Sequence, residues 1–346
     1  MLSTDDSPKP TGAETVERHV DRYWNDLPRV IEYLSRLATG DQARWWVPYL
    51  KERYGVRPRR RGLMLGCGNG WVERNLYDEG VAERFDAFDV SEEAIKTARE
   101  LCGDRPITYH QADFRTFRPD GTYDLIVNHA ALHHARYLYR MMHVIASALD
   151  DDGIFVNWEY VGPNRNQYSA SHLRVMTAIN AALPERFRTA YPLLLDLRTF
   201  LTGDPTEAVH AAEIRRAFAQ YFDPIERHDL GGGVAYQILW NNIEEFQKDD
   251  PEARQTLEWL LRLDERLTES GAVPVLFSFF IGRRRSSQAG WRARFDRLVR
   301  EPAREVVADA TGGLYPGEHL PTILRRVRAR ARRNVSRFRR LLPLAR

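Results

Sequence analysis

Between residues 62 and 158, short apolar runs alternate with segments in which apolar residues recur every three or four positions. The first pattern is typical of buried strands and the second of amphipathic helices. The predicted strands are 63–65, 85–88, 107–109, 125–127 and 154–158, and the predicted helices begin at 71, 91 and 136. This alternation predicts an α/β fold with a doubly wound, mostly parallel sheet.

The flanking regions follow other patterns. Helical spacing over 14–55 predicts a lead-in, assigned here to residues 1–55, and the mostly helical stretch 162–221 predicts a cap inserted into the main domain, 56–282. Within the cap, Asp204-Pro205 followed by Glu207 predicts a helix start. Further strands are expected at 225–228 and 273–281, and residues 283–320 are interpreted as a linker.

A glycine-rich turn, Gly66-Cys67-Gly68-Asn69-Gly70, joins the first strand to its helix. Alternate glycines let the backbone bend sharply and approach a ligand, and the helix that follows presents free N–H groups. A dinucleotide fingerprint requires a third glycine five residues after the first. Because Trp71 occupies that position, the turn predicts a nucleoside cofactor of another class.

Polar residues end the predicted strands, where ligands bind in sheets of this kind. Asp89, next to Val90, can accept hydrogen bonds from ribose hydroxyls, and Asp113 with Phe114 can bind an amine and stack a purine. Cofactor contacts are therefore predicted at the glycine turn and at these strand ends; the full set is Gly66, Cys67, Gly68, Asn69, Gly70, Asp89, Val90, Asp113, Phe114, Asn128 and His129.

Three residues near the fourth and fifth strand ends are candidate general bases: His133, His134 and Glu159. The loop that follows carries candidate acceptor-binding residues, Tyr160, Arg165, Asn166 and Gln167, although Gly162-Pro163 also explains it as a simple turn. No metal site is expected, because adjacent histidines point in different directions and no Cys or acid at ligand spacing joins them.

Composition and charge indicate where the protein is located and exclude some kinds of site. Two cysteines, Cys67 and Cys102, provide neither a disulfide framework nor a four-cysteine zinc site. The sequence shows neither the pattern of a signal peptide nor an apolar run of membrane-spanning length. Of the formal net charge of +3, residues 321–346 contribute ten arginines and no acid, which leaves residues 1–320 at −7. A cytoplasmic location is expected, and nucleic-acid binding is disfavoured by the acidic body.

The segment 321–346 has apolar residues at a spacing of three and four among its arginines, which predicts a basic amphipathic helix. Such a helix can dock on the body of the protein, bind an anionic surface on the inner face of the membrane, or contact nucleic acid or a protein partner.

Taken together, the motifs Leu65-Gly66-Cys67-Gly68-Asn69-Gly70-Trp71, Asp89-Val90-Ser91, Ala112-Asp113, Leu132-His133-His134 and Glu159-Tyr160-Val161-Gly162-Pro163 resemble those of bacterial class I S-adenosylmethionine-dependent methyltransferases. The resemblance covers about residues 20–282. It implies a seven-stranded Rossmann-like sheet with an antiparallel last strand, and cofactor contacts at Gly66, Gly68, Asp89, Asp113 and Asn128. It also implies that Tyr23-Trp24-Asn25 belongs to a lead-in that closes over the cofactor.

The reaction implied by this resemblance is an in-line methyl transfer from S-adenosyl-L-methionine that releases S-adenosyl-L-homocysteine. Positioning of the two reactants supplies most of the catalysis in such a reaction. The expected activity is O-methylation of a small-molecule or glycan-like acceptor. The alternatives are RNA or tRNA methylation, and a catalytically inactive, cofactor-binding interaction protein associated with the membrane.

Overall fold

A computed structural model describes residues 23–55, 58–189, 193, 197 and 203–285. Seven strands form one sheet in the order β3-β2-β1-β4-β5-β7-β6. Their bounds are β1 (Gly62–Leu65), β2 (Phe85–Asp89), β3 (Ile107–Gln111), β4 (Tyr123–His129), β5 (Leu149–Tyr160), β6 (Phe222–Asp229) and β7 (Phe277–Arg284).

The described helices flank this sheet. They are α1 (Pro28–Thr39), α2 (Trp46–Tyr54), α3 (Trp71–Asp78), α4 (Glu92–Cys102), α5 (Leu138–Ala148), α6 (Ala170–Ala182), α7 (Ile214–Tyr221), α8 (Ala235–Trp240), α9 (Ile243–Gln247) and α10 (Pro251–Glu269). Short 3-10 turns lie at Trp24–Asp26, Leu132–His134, Asn164–Asn166, Glu185–Phe187 and Ala211–Glu213.

Strands β1 to β5 are parallel, whereas β7 runs antiparallel between β5 and β6. In the parallel part, Leu65 at the end of β1 lies opposite Phe88 of β2 and Asn128 of β4. The carboxyl ends of these strands therefore meet at one edge of the sheet. This topology confirms the predicted seven-stranded, mostly parallel α/β fold with its antiparallel last strand.

Strand alternation divides the apolar core into two layers. Met64 and its neighbours on one face pack with residues of α1 to α4, and Leu63 and Leu65 on the other face pack with residues of α5 and α7. Because successive side chains of a strand point to opposite faces, each central strand contributes to both layers. Because both faces of the sheet are covered by apolar residues, polar groups can converge only at the ends of the strands.

A buried carboxylate joins the lead-in to the sheet. Asp264 in α10 accepts the hydroxyl of Tyr33 from α1 at 3.1 Å and the backbone N–H groups of Gly232, Val234 and Ala235 at 2.6–3.0 Å. These bonds hold the start of α8 and compensate the desolvation of the carboxylate. Since the donors come from two separate segments, Asp264 fixes α1 and the start of α8 relative to α10.

The prediction of a helix that starts at Asp204 is wrong. Residues 205–210 form turns, although the Asp204 carboxylate does accept the N–H groups of Thr206 and Glu207 as a helix cap would. Ala208 has a φ of +48°, which ends any right-handed helix there. The carbonyl groups of this segment bond instead to a side chain of another loop, described below.

Several predicted regions lie outside the described residues: the start of the lead-in (1–22), most of the 283–320 linker and the basic segment 321–346. The expectations of membrane or nucleic-acid contact that rest on that segment stay predictions. Among the described residues, none of the helices is both long and apolar enough to cross a membrane.

Candidate active site

The glycine turn, Gly66–Gly70, adopts the left-handed backbone that its composition predicts. Gly66, Gly68 and Gly70 have φ values of +57°, +54° and +81°. A Cβ on Gly66 would lie 2.5 Å from the Cβ of Ala131, so close packing requires glycine there. A Cβ on Gly68 would meet no atom within 4 Å, so the backbone at Gly68 borders open space that a ligand can fill.

Asp89 ends β2 beside this open space. Its carboxylate accepts the N–H groups of Gly68 and Ser91, both at 2.9 Å, and lone pairs on both oxygens remain for further donors. The neighbouring Val90 is 67% exposed, and the ring of Phe114 lies 3.9 Å from the Cβ position of Gly66. A hydroxyl acceptor bonded to Gly68, the exposed apolar side chain that follows it and an aromatic ring near Gly66 thus lie along the glycine turn, and they are groups of the kind that bind a nucleoside.

Asp113 has a different environment from Asp89. Its carboxylate accepts the backbone N–H groups of Arg115 and Thr116 at 2.8 Å and the Arg115 guanidinium at 2.7 Å. Burial alone would raise its pKa, but these donors, led by Arg115, lower it. The carboxylate therefore serves the turn in this structure, and its predicted contact with a purine amine stays a prediction.

Two predicted cofactor residues at the end of β4 are largely enclosed. Asn128 donates to Glu159 at 2.9 Å and accepts the Leu132 N–H at 3.0 Å. His129 contacts three tryptophan rings, those of Trp46, Trp71 and Trp158, with centroid separations of 5.1–6.1 Å. Burial lowers the pKa of His129 to about 4, so this imidazole is neutral at physiological pH.

Tyr23 and Trp24 lie over the β7 side of the sheet. Trp24 is buried and stacks on Phe277 with a centroid separation of 5.4 Å, and the exposed Tyr23 meets Trp240 edge to face. Phe277 in turn contacts Tyr160 at the end of β5. The described part of the lead-in thus packs near the candidate acceptor residues, and its predicted contact with the cofactor stays a prediction.

His133 and Glu159 form a buried ion pair. The Nδ1–H of His133 donates to Oε1 of Glu159 at 2.6 Å, and Glu159 also accepts donors from Asn128, Leu132 and Tyr160. Burial alone would lower the pKa of His133, but the carboxylates of Glu159 and then Glu207 raise it to about 10. His133 is therefore charged at neutral pH, and its positive charge lowers the pKa of Glu159 despite burial.

His134 and Glu207 complete a group that we call the acceptor cluster: His133, His134, Glu159 and Glu207. The Nε2 atoms of both histidines lie 3.6 Å from Oε2 of Glu207. Burial, followed by the charge on His133, lowers the pKa of His134, whereas the histidines hold the pKa of the half-buried Glu207 at about 2. His134 is therefore the neutral imidazole of the pair.

The expectation that adjacent histidines point apart is wrong here. The 3-10 turn at Leu132–His134 brings the rings of His133 and His134 to a centroid separation of 4.2 Å, and Glu207 from the cap supplies the acid that the sequence spacing lacked. Glu207 is the main functional candidate that the sequence did not single out. Its only signal was membership of the Asp204–Glu207 capping pattern.

The predicted acceptor-binding loop holds Glu207 in place. Arg165 is 1% exposed, and its guanidinium donates to the carbonyls of Pro205 at 2.7 Å and Glu207 at 3.0 Å. Gln167 donates to the Arg165 carbonyl at 3.0 Å, and Asn166 is buried beside it. In this structure the loop forms the wall that positions Glu207, and direct contact of these residues with an acceptor stays a prediction.

Tyr160, at the end of β5, covers one side of the acceptor cluster. Its ring meets His133 edge to face with a centroid separation of 6.2 Å, and its hydroxyl donates to the Pro163 carbonyl at 3.3 Å. The cluster thus has an apolar wall on this side and the Glu207 segment opposite.

Comparison with known proteins shows the family of this chain. Residues 63–157 match the family described as "Methyltransferase domain". The chain is 31% identical over 244 residues to the rat mitochondrial protein named arginine-hydroxylase NDUFAF5, which covers 64% of this chain and 69% of that protein. It is 27% identical over 168 residues to the malonyl-[acyl-carrier protein] O-methyltransferase of Bacillus cereus, covering 47% of this chain and 61% of that enzyme.

Among solved structures, an S-adenosylmethionine-dependent methyltransferase from Mesorhizobium loti matches with a TM-score of 0.39 at 20% identity, covering 66% of this chain and 92% of that one.

The chain belongs to the class I S-adenosylmethionine-dependent methyltransferases. It is a methyltransferase whose cofactor is S-adenosylmethionine. The residues present fit this cofactor, because the glycine turn borders open space at Gly68, Asp89 bonds to Gly68, and Phe114 lies near Gly66. Asp89, Val90 and Phe114 are the residues that would hold its nucleoside. The acceptor cluster lies at the ends of the strands β4 and β5.

Proposed function

We propose that this enzyme methylates a hydroxyl oxygen of a small-molecule or glycan-like acceptor, and that His134 removes the hydroxyl proton. One observation carries the proposal: the lone pair of His134 Nε2 is left available for a proton. Nδ1 of His134 lies 3.1 Å from the Thr206 hydroxyl, which itself donates to Asp204 at 2.7 Å. Thr206 therefore accepts from Nδ1–H, which fixes the lone pair on Nε2.

The charges of the acceptor cluster support an uncharged acceptor. Glu159 and Glu207 are ionised and His133 is the single cation between them, so the cluster has an excess of negative charge. A carboxylate acceptor would have no proton to lose. A neutral hydroxyl can donate to His134 and requires the base that this site provides.

Each member of the cluster then has a distinct role. S-adenosylmethionine, when bound, supplies an electrophilic methyl group. His134 takes the proton from the acceptor oxygen, and the carboxylates of Glu207 and Asp204, each 3.6 Å from its ring nitrogens, stabilise the imidazolium that results. Glu159 acts as a positioning residue through His133, because its oxygens are already engaged by four donors.

One of the two relatives supports methylation of oxygen, and neither identifies the acceptor. The Bacillus relative is named an O-methyltransferase of a carrier-protein-linked acyl group, and the rat relative is named for hydroxylation of arginine. The acceptor proposed here belongs to neither class, because it is argued from the charge of this chain's own cluster.

The test is incubation of the full chain with methyl-labelled cofactor and fractionated extract of the native host. We expect label in a low-molecular-weight product that keeps it after mild alkali, because a methyl ether resists hydrolysis whereas a methyl ester releases methanol. Mass spectrometry of the product should show an added methyl group. Alkali-labile label, label in RNA, or addition of an oxygen atom instead would contradict the proposal.

A further inference from the structure

The acceptor cluster has a geometric property that hydrogen bonding does not explain. Nε2 of His133 and Nε2 of His134 each lie 3.6 Å from the same oxygen, Oε2 of Glu207. One ring nitrogen of each histidine and one carboxylate oxygen of Glu207 lie within 4.8 Å of one another. A nitrogen–oxygen hydrogen bond in proteins is about 2.7–3.2 Å long, so these three atoms surround a gap instead of closing it.

The spacing matches that of ligands around a metal ion. Zinc–nitrogen and zinc–oxygen bonds are about 2.0–2.2 Å long, which places two ligand atoms of a tetrahedral site about 3.4 Å apart. The observed 3.6 Å separations are close to this value. Two imidazole nitrogens and one carboxylate oxygen are also a common protein ligand set for divalent transition metals, with positions left open for water or substrate.

The outer nitrogens of both histidines are held as they are in metalloproteins. His133 Nδ1 donates to Glu159 at 2.6 Å, and His134 Nδ1 donates to the hydroxyl of Thr206 at 3.1 Å. Such bonds fix the ring orientation. His134 presents the Nε2 lone pair, and His133, which is protonated in the ion-free chain, would release its Nε2 proton when the ion binds. Both histidines thus direct Nε2 towards the oxygen of Glu207.

The third ligand is fixed as firmly as the histidines. The segment that carries Glu207 is bonded through the carbonyls of Pro205 and Glu207 to the buried guanidinium of Arg165, and the N–H of Glu207 donates to Asp204 at 3.2 Å. The three ligand atoms therefore converge before any ion binds, which reduces the entropy that binding must overcome.

We propose that His133, His134 and Glu207 bind a divalent first-row transition-metal ion. The nitrogen ligands favour this class over Mg²⁺ or Ca²⁺, which prefer oxygen ligands. The ion would occupy the Nε2 lone pair of His134, so the proton transfer assigned to His134 above belongs to the ion-free chain. With the ion bound, the ion would instead withdraw charge from the acceptor hydroxyl. Only this last point rests on the proposed function, because binding of the ion requires neither cofactor nor acceptor.

The experiment is a titration of the untagged, chelator-treated full chain with Co²⁺, followed by visible absorption, and with Zn²⁺, followed by calorimetry. We expect one ion per chain and the visible bands of low-coordinate Co²⁺. Glu207→Gln and His134→Ala should each weaken binding at least tenfold, and Glu159→Gln should weaken it about 10- to 100-fold while the bands remain.

A matched control is His228→Ala, which removes a histidine that also pairs with a glutamate, Glu226, at 2.7 Å but lies in β6 outside the cluster. It should leave both titrations unchanged. Circular dichroism and S-adenosylmethionine affinity verify that each variant is folded. The proposal is overturned if the wild-type chain gives no stoichiometric binding, or if Glu207→Gln and His134→Ala bind as the wild type does. Either outcome leaves the methyl-transfer assay, run in chelator, as an independent test of the proposed function.

Discussion

The two ends of this active site are built in different ways. At the cofactor end, the glycine turn is bonded to Asp89, only 21 residues from Gly68. At the acceptor end, Arg165 reaches carbonyls 40 and 42 residues away, and His134 bonds to Thr206 across 72 residues. Groups that are close in sequence fix the cofactor site, whereas the acceptor site depends on the tertiary packing of distant segments. The acceptor site can therefore change without disturbing the cofactor site.

The sharpest test of this separation is His134→Ala. We expect kcat for methyl transfer to fall about 100- to 10,000-fold, because a positioned general base contributes about that much, while the dissociation constant of S-adenosylmethionine stays the same. Steady-state kinetics and calorimetry measure the two quantities. His228→Ala is the control, and a His134→Ala enzyme with unchanged kcat would show that proton transfer does not depend on this imidazole.

Substitution of Asp264 tests the tertiary packing that holds α1 and the start of α8 against α10. Asp264→Ala should lower the free energy of unfolding by about 3–5 kcal/mol, since it leaves three buried backbone N–H groups and the Tyr33 hydroxyl without their acceptor. Denaturant unfolding measures the loss. The adjacent Glu265→Ala removes a surface ion pair with Arg36 and should cost less than about 1 kcal/mol. Equal losses in the two variants would contradict this account of Asp264.

A substitution at the cofactor end should weaken cofactor binding and leave kcat nearly unchanged, which is the reverse of the result expected for His134→Ala. Asp89→Ala removes a charged acceptor beside the open space at Gly68, and we expect S-adenosylmethionine to bind about 10- to 100-fold more weakly. Acceptor-dependent kcat at saturating cofactor should change little. Asp86→Asn is the control in the same strand, because Asp86 pairs with Arg61 towards the other end of the sheet. An unchanged affinity in Asp89→Ala would remove Asp89 from the cofactor site.

A stability effect that depends on pH is expected at Glu73, the buried acid of α3. Burial raises the pKa of Glu73 from 4.5 to about 7 in the folded chain. Between these two pH values the unfolded chain loses the proton and the folded chain keeps it, so the free energy of unfolding falls as the pH rises. Glu73→Gln should therefore be more stable than the wild type at pH 8, by up to about 3 kcal/mol, and this difference should disappear below about pH 4.5. Urea unfolding at the two pH values measures it, and a pH-independent difference would contradict the assignment.

The conformation of the glycine turn could be predicted from the sequence because its signals are local. The turn at Gly66–Gly70 and the acid Asp89 are recognised from spacing alone, and the strand alternation predicted the sheet. Glu207 could not be found in the same way, because it meets His133 only after the chain has passed through the cap. Arg165 could not be distinguished from a ligand-binding arginine, because its partners are backbone carbonyls that carry no sequence signal.

The tryptophans around His129 give the protein a built-in optical reporter. Trp46, Trp71 and Trp158 all contact this imidazole, and Trp71 directly follows the glycine turn. A protonated imidazole quenches indole emission, whereas the neutral ring of His129 leaves these indoles bright over the physiological pH range. Because Trp71 directly follows the glycine turn, we expect cofactor binding to change the intrinsic fluorescence of the unlabelled chain, and a fluorescence titration measures this.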